Sequence, residues 1–169
     1  VQTCALPICK YIENSTVDCY DMSDIAIEVT GKNIERFLLK DRLTVEKSDL
    51  LTVAIKQNKK FDVIVSNPPY IKEEVIPTLM EDVKDYEPYI ALCGGIDGLD
   101  FYRKITVQSL EILENNGLLA FEIGYDQGEA VKELLIESGF TDVRVINDLA
   151  GLNRVDRKST RLNSSHRLY

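Results

Sequence analysis

Apolar positions along this chain come in short blocks, and the blocks alternate between two periods. Val17-Asp-Cys-Tyr20 is short and β-prone. Ser23 can cap a helix in which Ala26, Val29 and Phe37 fall on one stripe. Gly31 lies inside that helix, where a glycine costs about 1 kcal/mol relative to alanine. Leu43-Thr-Val-Glu-Lys47 reads as a second strand, and Lys56–Lys60 as a polar break. Phe61-Asp-Val-Ile-Val-Ser66 is a third strand, apolar almost throughout, as expected where both faces are covered. Leu99, Tyr102, Ile105, Leu110 and Leu113 mark a helix that Asn115-Asn116-Gly117 should stop. Leu118–Ile123 is a strand. Ala130, Val131, Leu134 and Leu135 mark another helix, ended by Gly139, and Thr141–Ile146 is a last strand. Residues 70–96 have weak periodicity and hold Pro77 and Pro88. Stretches of that length in a compact domain are usually lids or binding loops.

Strands alternating with helices predict an α/β doubly wound sheet. Ligands of such sheets bind outside the carboxyl ends of the strands, so the residues just after each strand carry the interest. No apolar run approaches the roughly 18 residues that span a bilayer, and a cytoplasmic protein is expected. At 169 residues a single domain is the default.

Charge separates the ends from the middle. Residues 1–9 carry none, and 156–169 hold four basic residues against Asp156. That leaves 16 basic and 27 acidic residues in 10–155, a net of −11 within a chain of net −8. So acidic a body is a poor candidate for gripping nucleic-acid phosphates, and no direct nucleic-acid partner is expected. The tail 156–166 resembles the translation of a widely used DNA-sequencing adapter, and Val1–Ile8 resembles the same adapter read on the other strand. Residues 1–9 and 156–169 are therefore expected to be adapter-derived, the tail 156–169 without packed contacts, leaving 10–155 as the protein's own, partial domain. Four cysteines include no Cys-x-x-Cys, which predicts reduced thiols and no metal site. The only histidine is His166, so a histidine base is excluded from the body.

Three post-strand segments carry chemistry. Asn67-Pro68-Pro69-Tyr70 directly follows the strand 61–66. Two prolines fix φ and remove two backbone donors, leaving carbonyls with no competing N–H beside them. The segment offers an amide (Asn67), a bare carbonyl (Pro68) and an aromatic face (Tyr70), a set that suits a planar NH2 group. Asp21 follows the first strand, where a carboxylate can accept from both hydroxyls of a ribose or can cap the next helix. Asp49, with Leu50, follows the second; it could accept from an exocyclic amine while Leu50 covers a purine, or be a solvated loop acid. Glu122-Ile123-Gly124-x-x-Gln127 follows the fourth strand with no settled role.

Together these residues resemble class I S-adenosyl-L-methionine-dependent methyltransferases. Asn-Pro-Pro-Tyr-Ile (67–71), Tyr-Glu-Pro (86–88), Ala-Leu-Cys-Gly-Gly-Ile-Asp-Gly-Leu-Asp-Phe-Tyr-Arg (91–103), Glu-Ile-Gly-Tyr-Asp-Gln (122–127) and Asp-Leu-Ala-Gly-Leu-Asn-Arg-Val (148–155) narrow the likeness to the HemK/PrmC-type glutamine methyltransferases of peptide chain release factors. The resemblance implies that Asp21 holds the cofactor ribose and that Asp49 with Leu50 holds the adenine. Asn67 would reach both cofactor and substrate. Asn67, Pro68, Pro69 and Tyr70 would receive the substrate amide, with release factors as protein partners. It also implies an incomplete Rossmann-like sheet. The family's helical docking domain, its first strand with the glycine-rich loop, and its last strand are expected to be missing, and the chain as written to be inactive. Asn-Pro-Pro-Tyr alone is shared with amino-methyltransferases of nucleic acids. A ribosomal-protein glutamine methyltransferase, a nucleic-acid amino-methyltransferase and a non-catalytic fragment stand as the alternatives.

Overall fold

A computed structural model describes residues 2–81, 87–147, 153–157 and 160–161. Tyr86, residues 148–152 and most of the tail, all read from the sequence above, lie outside the described residues. The chain divides into two compact units, Val1–Lys59 and Lys60–Tyr169.

The first unit holds helix α1 (Gln2–Tyr11), strand β1 (Val17–Asp21), helix α2 (Asp24–Arg36), strand β2 (Leu43–Lys47) and the short helix α3 (Thr52–Lys56). Strands β1 and β2 pair in parallel, Val17 against Leu43 through Asp21 against Lys47. Ser23 caps α2 as expected, its hydroxyl oxygen accepting from the Ala26 N–H. The buried face of α2 is offset from the expected stripe. Thr30 and Ile34, one turn apart, are buried, whereas Val29 and Phe37 are exposed and Ala26 is half-buried. Ile34 packs with Leu39, Leu43 and Cys19. Residues 2–9, set apart from the domain by sequence, are nonetheless ordered. They run into α1, and Ala5 and Cys9, spaced i and i+4 on one face, close the same cluster. Pro7 sits inside that helix, at the expense of one backbone bond.

The second unit contains strand β3 (Phe61–Ser66), a 3-10 turn (Ile76–Thr78), the one-turn helix α4 (Tyr89–Leu92), helix α5 (Asp100–Ile112), strand β4 (Leu113–Glu122), helix α6 (Gly128–Glu137), and strands β5 (Phe140–Thr141), β6 (Arg144–Asn147), β7 (Asn153–Arg157) and β8 (Thr160–Arg161). The order β3-β4-β7-β6 has β3 parallel to β4 and β7 antiparallel to both neighbours. Strand β7 crosses the expected boundary at 155, and β8 pairs with β5. The tail therefore enters the sheet at these positions, where packed contacts were not expected. The last strand expected as missing has β7 in its place. A strand needs backbone donors and acceptors more than an apolar pattern, so a polar segment can supply it.

Two further departures are local. Helix α5 ends at Ile112, and Leu113 already belongs to β4. The Asn115-Asn116-Gly117 stop survives as an irregularity inside the strand: Asn116 has φ +63°, and the register jumps from Phe61 opposite Leu113 to Val63 opposite Leu118. In β3 only Ile64 is buried, and the flanking Val63 and Val65 are exposed. That is the alternation of a strand covered on one face, against the expectation of two. Tyr102 and Phe121 meet edge to face at the centre of this unit's core, with ring centroids 5.1 Å apart.

Candidate active site

The two units present separate halves of the expected constellation. In the first, Asp21 stands at the carboxyl end of β1, half-buried. Its Oδ1 accepts from the Ser23 N–H at 2.8 Å, and its carbonyl accepts from the Ser48 N–H at 3.0 Å. The bond to Ser23 takes part of the capacity of a carboxylate with about four lone-pair sites. Asp21 thus braces the turn into α2 and ties the loop after β1 to the loop after β2. Ser48 is buried, and its hydroxyl oxygen accepts from the Val53 N–H at 3.2 Å. Between these anchors Asp49 is exposed and Leu50 half-buried, with Leu50 at φ +51°. A leucine in the left-handed region costs about 1–2 kcal/mol, and such strain collects at binding loops. Asp21, Asp49 and Leu50 therefore share one end of the β1-β2 pair.

In the second unit, Asn67 leaves β3 exposed, Pro68 is buried, and Pro69 and Tyr70 are half-buried. Among the described residues the Asn67 side chain has no hydrogen-bond partner. The segment 70–96 is not structureless. Ile71 bridges Cys93, its N–H donating to the Leu92 carbonyl at 3.0 Å and its carbonyl accepting from the Gly94 N–H at 2.8 Å. A Cβ on Gly94 would lie 2.8 Å from the Tyr70 Cα and 2.9 Å from the Pro69 oxygen, so only glycine allows this approach. Arg103 donates to both Asp97 oxygens and, at 3.2 Å, to Asp100. The guanidinium holds the Asp97 carboxyl down at about 2.

The sequence left Gln127 without a role, and here it joins three loops. It is buried, its Nε2 donates to the Tyr70 carbonyl at 3.0 Å and the Gly98 carbonyl at 3.2 Å, and its Oε1 accepts from the Gly124 N–H at 3.0 Å. The Tyr102 hydroxyl has one proton for two acceptors, the Glu122 carbonyl at 3.0 Å and Gln127 Oε1 at 3.3 Å. Burial pushes that hydroxyl's pKa far up, so it stays a donor. Apart from the bond to Gly124, no local pattern announces these contacts, since Gln127 lies 57 residues from Tyr70 and 29 from Gly98.

An α/β fold with acids after successive parallel strands and an amide-proline-proline turn after the next is that of a class I methyltransferase. The family model described as Eco57I restriction-modification methylase matches residues 10–124, and the chain belongs to that family. It is 57% identical over 144 residues to the release factor glutamine methyltransferase of Clostridium botulinum, covering 85% of this chain and 51% of that protein. The corresponding enzyme of Clostridium acetobutylicum is 49% identical over 150 residues, covering 89% and 53%. The chain thus spans about half the length of the curated relatives it matches. A methyltransferase from Pyrococcus furiosus shares the fold, with a TM-score of 0.66 at 21% identity over 93% of this chain and 68% of that one. Membership of a methylase family implies use of S-adenosyl-L-methionine. No helix among the described residues is long and apolar enough to cross a membrane.

Proposed function

We propose that the protein transfers a methyl group to the side-chain amide nitrogen of the glutamine in the Gly-Gly-Gln loop of peptide chain release factors. The observation that carries this reading is the exposed Asn67 amide beside two prolines, without a hydrogen-bond partner among the described residues, in a chain 57% identical over 144 residues to an enzyme named for that substrate. S-adenosyl-L-methionine supplies the methyl group when bound. The residues present fit it: the Asp21 carboxylate keeps accepting capacity for ribose hydroxyls, and Asp49 with Leu50 offers an acceptor and an apolar cover for adenine.

An amide nitrogen is a poor nucleophile because its lone pair is delocalised into the carbonyl. Asn67 Oδ1 and the Pro68 carbonyl accept its two hydrogens, which returns density to nitrogen and aims it. Pro69 keeps the turn rigid, and Tyr70 bounds the amide plane. As the nitrogen gains the methyl group, one of its two protons passes to solvent water at the exposed Asn67 turn; catalysis is otherwise positioning and preorganised electrostatics with no dedicated base. A nucleic-acid amino group offers similar hydrogens to the same acceptors, and the family description favours keeping that second reading. The net −11 of residues 10–155 weighs against it. Cytoplasmic release factors as partners follow from the first reading.

The test joins residues 10–155 to the part of the Clostridium botulinum relative that this chain does not match. The chimera is offered a release factor with S-adenosylmethionine, and the products are mapped by mass spectrometry. One methyl on the Gly-Gly-Gln glutamine is expected. Transfer to adenine in added DNA or RNA, with none to the release factor, overturns the proposal in favour of the second reading.

A further inference from the structure

We propose that Gln127 is a positioning residue that sets the aim of the Asn67-Pro68-Pro69-Tyr70 turn, an inference that rests on reading this turn as the amide-holding platform. The turn is an arc fixed at its start by strand register, Ser66 standing opposite Phe121 in the parallel pair β3-β4. Two prolines stiffen its middle. Its far end is the Tyr70 peptide unit, and the Tyr70 carbonyl is taken by Gln127 Nε2. Gly98, whose carbonyl receives the other Nε2 hydrogen, stands so close that a Cβ there would lie 2.5 Å from the Tyr70 oxygen.

The side chain is used to capacity. A primary amide has two donors and about two acceptor sites, and Gln127 meets two carbonyls at one end, an N–H and a hydroxyl at the other. The partners at each end allow only one orientation of the amide, so it cannot flip without facing oxygen with oxygen. Because Gly124 follows β4 and Gly98 precedes α5, the bonds refer the platform to two rigid elements. Glutamate is nearly isosteric but replaces the Nε2 donor by an oxygen aimed at two carbonyls, while keeping the acceptor for Gly124 and Tyr102.

The test uses the 169-residue chain and needs no turnover. In the parent, nuclear magnetic resonance should find both Gln127 Nε2 hydrogens protected from solvent exchange. In Gln127→Glu at pH 8, the Asn67 side-chain amide and the Tyr70 N–H should change chemical shift and lose order on 15N relaxation, with β3 and β4 resonances unmoved. A buried carboxyl facing two carbonyls titrates above the ordinary value of about 4.3. Lowering the pH toward 6 should then restore a donor and part of the parental Asn67 signal. Fast-exchanging Gln127 hydrogens in the parent, or Asn67 and Tyr70 signals unchanged in a folded Gln127→Glu, overturn the proposal. Should Gln127→Glu fail to fold, the exchange measurement on the parent decides it. Asn67 order that depends on Gln127, in a protein whose chimera never methylates a release factor, counts against the functional reading alone.

Discussion

The turn after β1 and the turn after β3 occupy the same topological place, the carboxyl end of a parallel strand, yet they are held differently. Asp21 is braced locally, by an N–H two residues away and a backbone bond from the next loop. Its neighbours Asp49 and Leu50 stand on a short strained loop. Asn67–Tyr70 is braced from a distance, by Gln127 and by glycines 94 and 98. The contrast suits the tasks proposed for them. Hydroxyl and amine recognition tolerates some adjustment, because a carboxylate accepts over a wide range of directions. Aiming a weak nucleophile does not, and misplacement by about 1 Å can cost on the order of 10²-fold in rate.

The sharpest way to break this contrast is to remove the working group from each turn. In the chimera, Asn67→Ala deletes one preorganised acceptor and should lower single-turnover methylation about 10²–10³-fold, with cofactor affinity changed by less than about tenfold. Asp21→Ala should reverse the pattern, weakening cofactor binding while turnover at saturating cofactor falls less. Equal losses of rate and affinity in both variants would erase the distinction between the turns.

A second effect is on stability and separates the units by sign. Gly98 has φ +78°, and a Cβ there meets the Tyr70 oxygen at 2.5 Å and Gln127 Nε2 at 2.7 Å. Gly98→Ala should therefore destabilise the second unit by about 3 kcal/mol, from left-handed strain and overpacking against backbone. Gly31, inside α2, has nothing within 4 Å of its Cβ position. Gly31→Ala should stabilise the first unit by about 0.5–1 kcal/mol. Urea unfolding followed by probes in each unit measures both, and a destabilising Gly31→Ala would show that α2 needs its glycine.

Much of this contrast is hidden from a single sequence, for a physical reason. Strands β2 and β3 fall where the pattern puts them, at 43–47 and 61–66, because apolar β-prone runs end there in turn chemistry. The site turns are legible for the same reason: proline restricts its own neighbourhood, so Asn67-Pro68-Pro69-Tyr70 carries its geometry in its letters. The face of α2 is misjudged by one position because tertiary packing on Cys19 and Leu43 decides between adjacent stripes. Strand β7 is invisible because it joins β4 and β6 through backbone pairing, which its polar sequence Asn153–Arg157 does not announce. Gln127 is missed because three of its four partners, Tyr70, Gly98 and Tyr102, are brought to it only by the fold.

The smallest expected effect concerns the loop that carries Gly98. Asp97 accepts from the Leu99 N–H at 3.0 Å and from the Arg103 guanidinium, and its carboxyl is held at about 2 against an ordinary value near 3.9. A folded-state value below the unfolded one means that the charged form favours folding. The contribution is complete above about pH 4 and disappears as pH falls from there through about 2. Both side chains are about half exposed, so screening by water and salt keeps the contribution small. Asp97→Asn should therefore have little effect on urea stability at pH 7 and still less at pH 2, with the difference shrinking as salt rises. What the variant should alter is local: Gly95 has φ +91°, and with the Arg103 tether gone, amide exchange at Gly95, Ile96 and Gly98 should quicken, while Asn67 keeps its parental resonance through Gln127. A shift of Asn67 in Asp97→Asn would mean that the ion pair, and not only the buried amide, steers the platform.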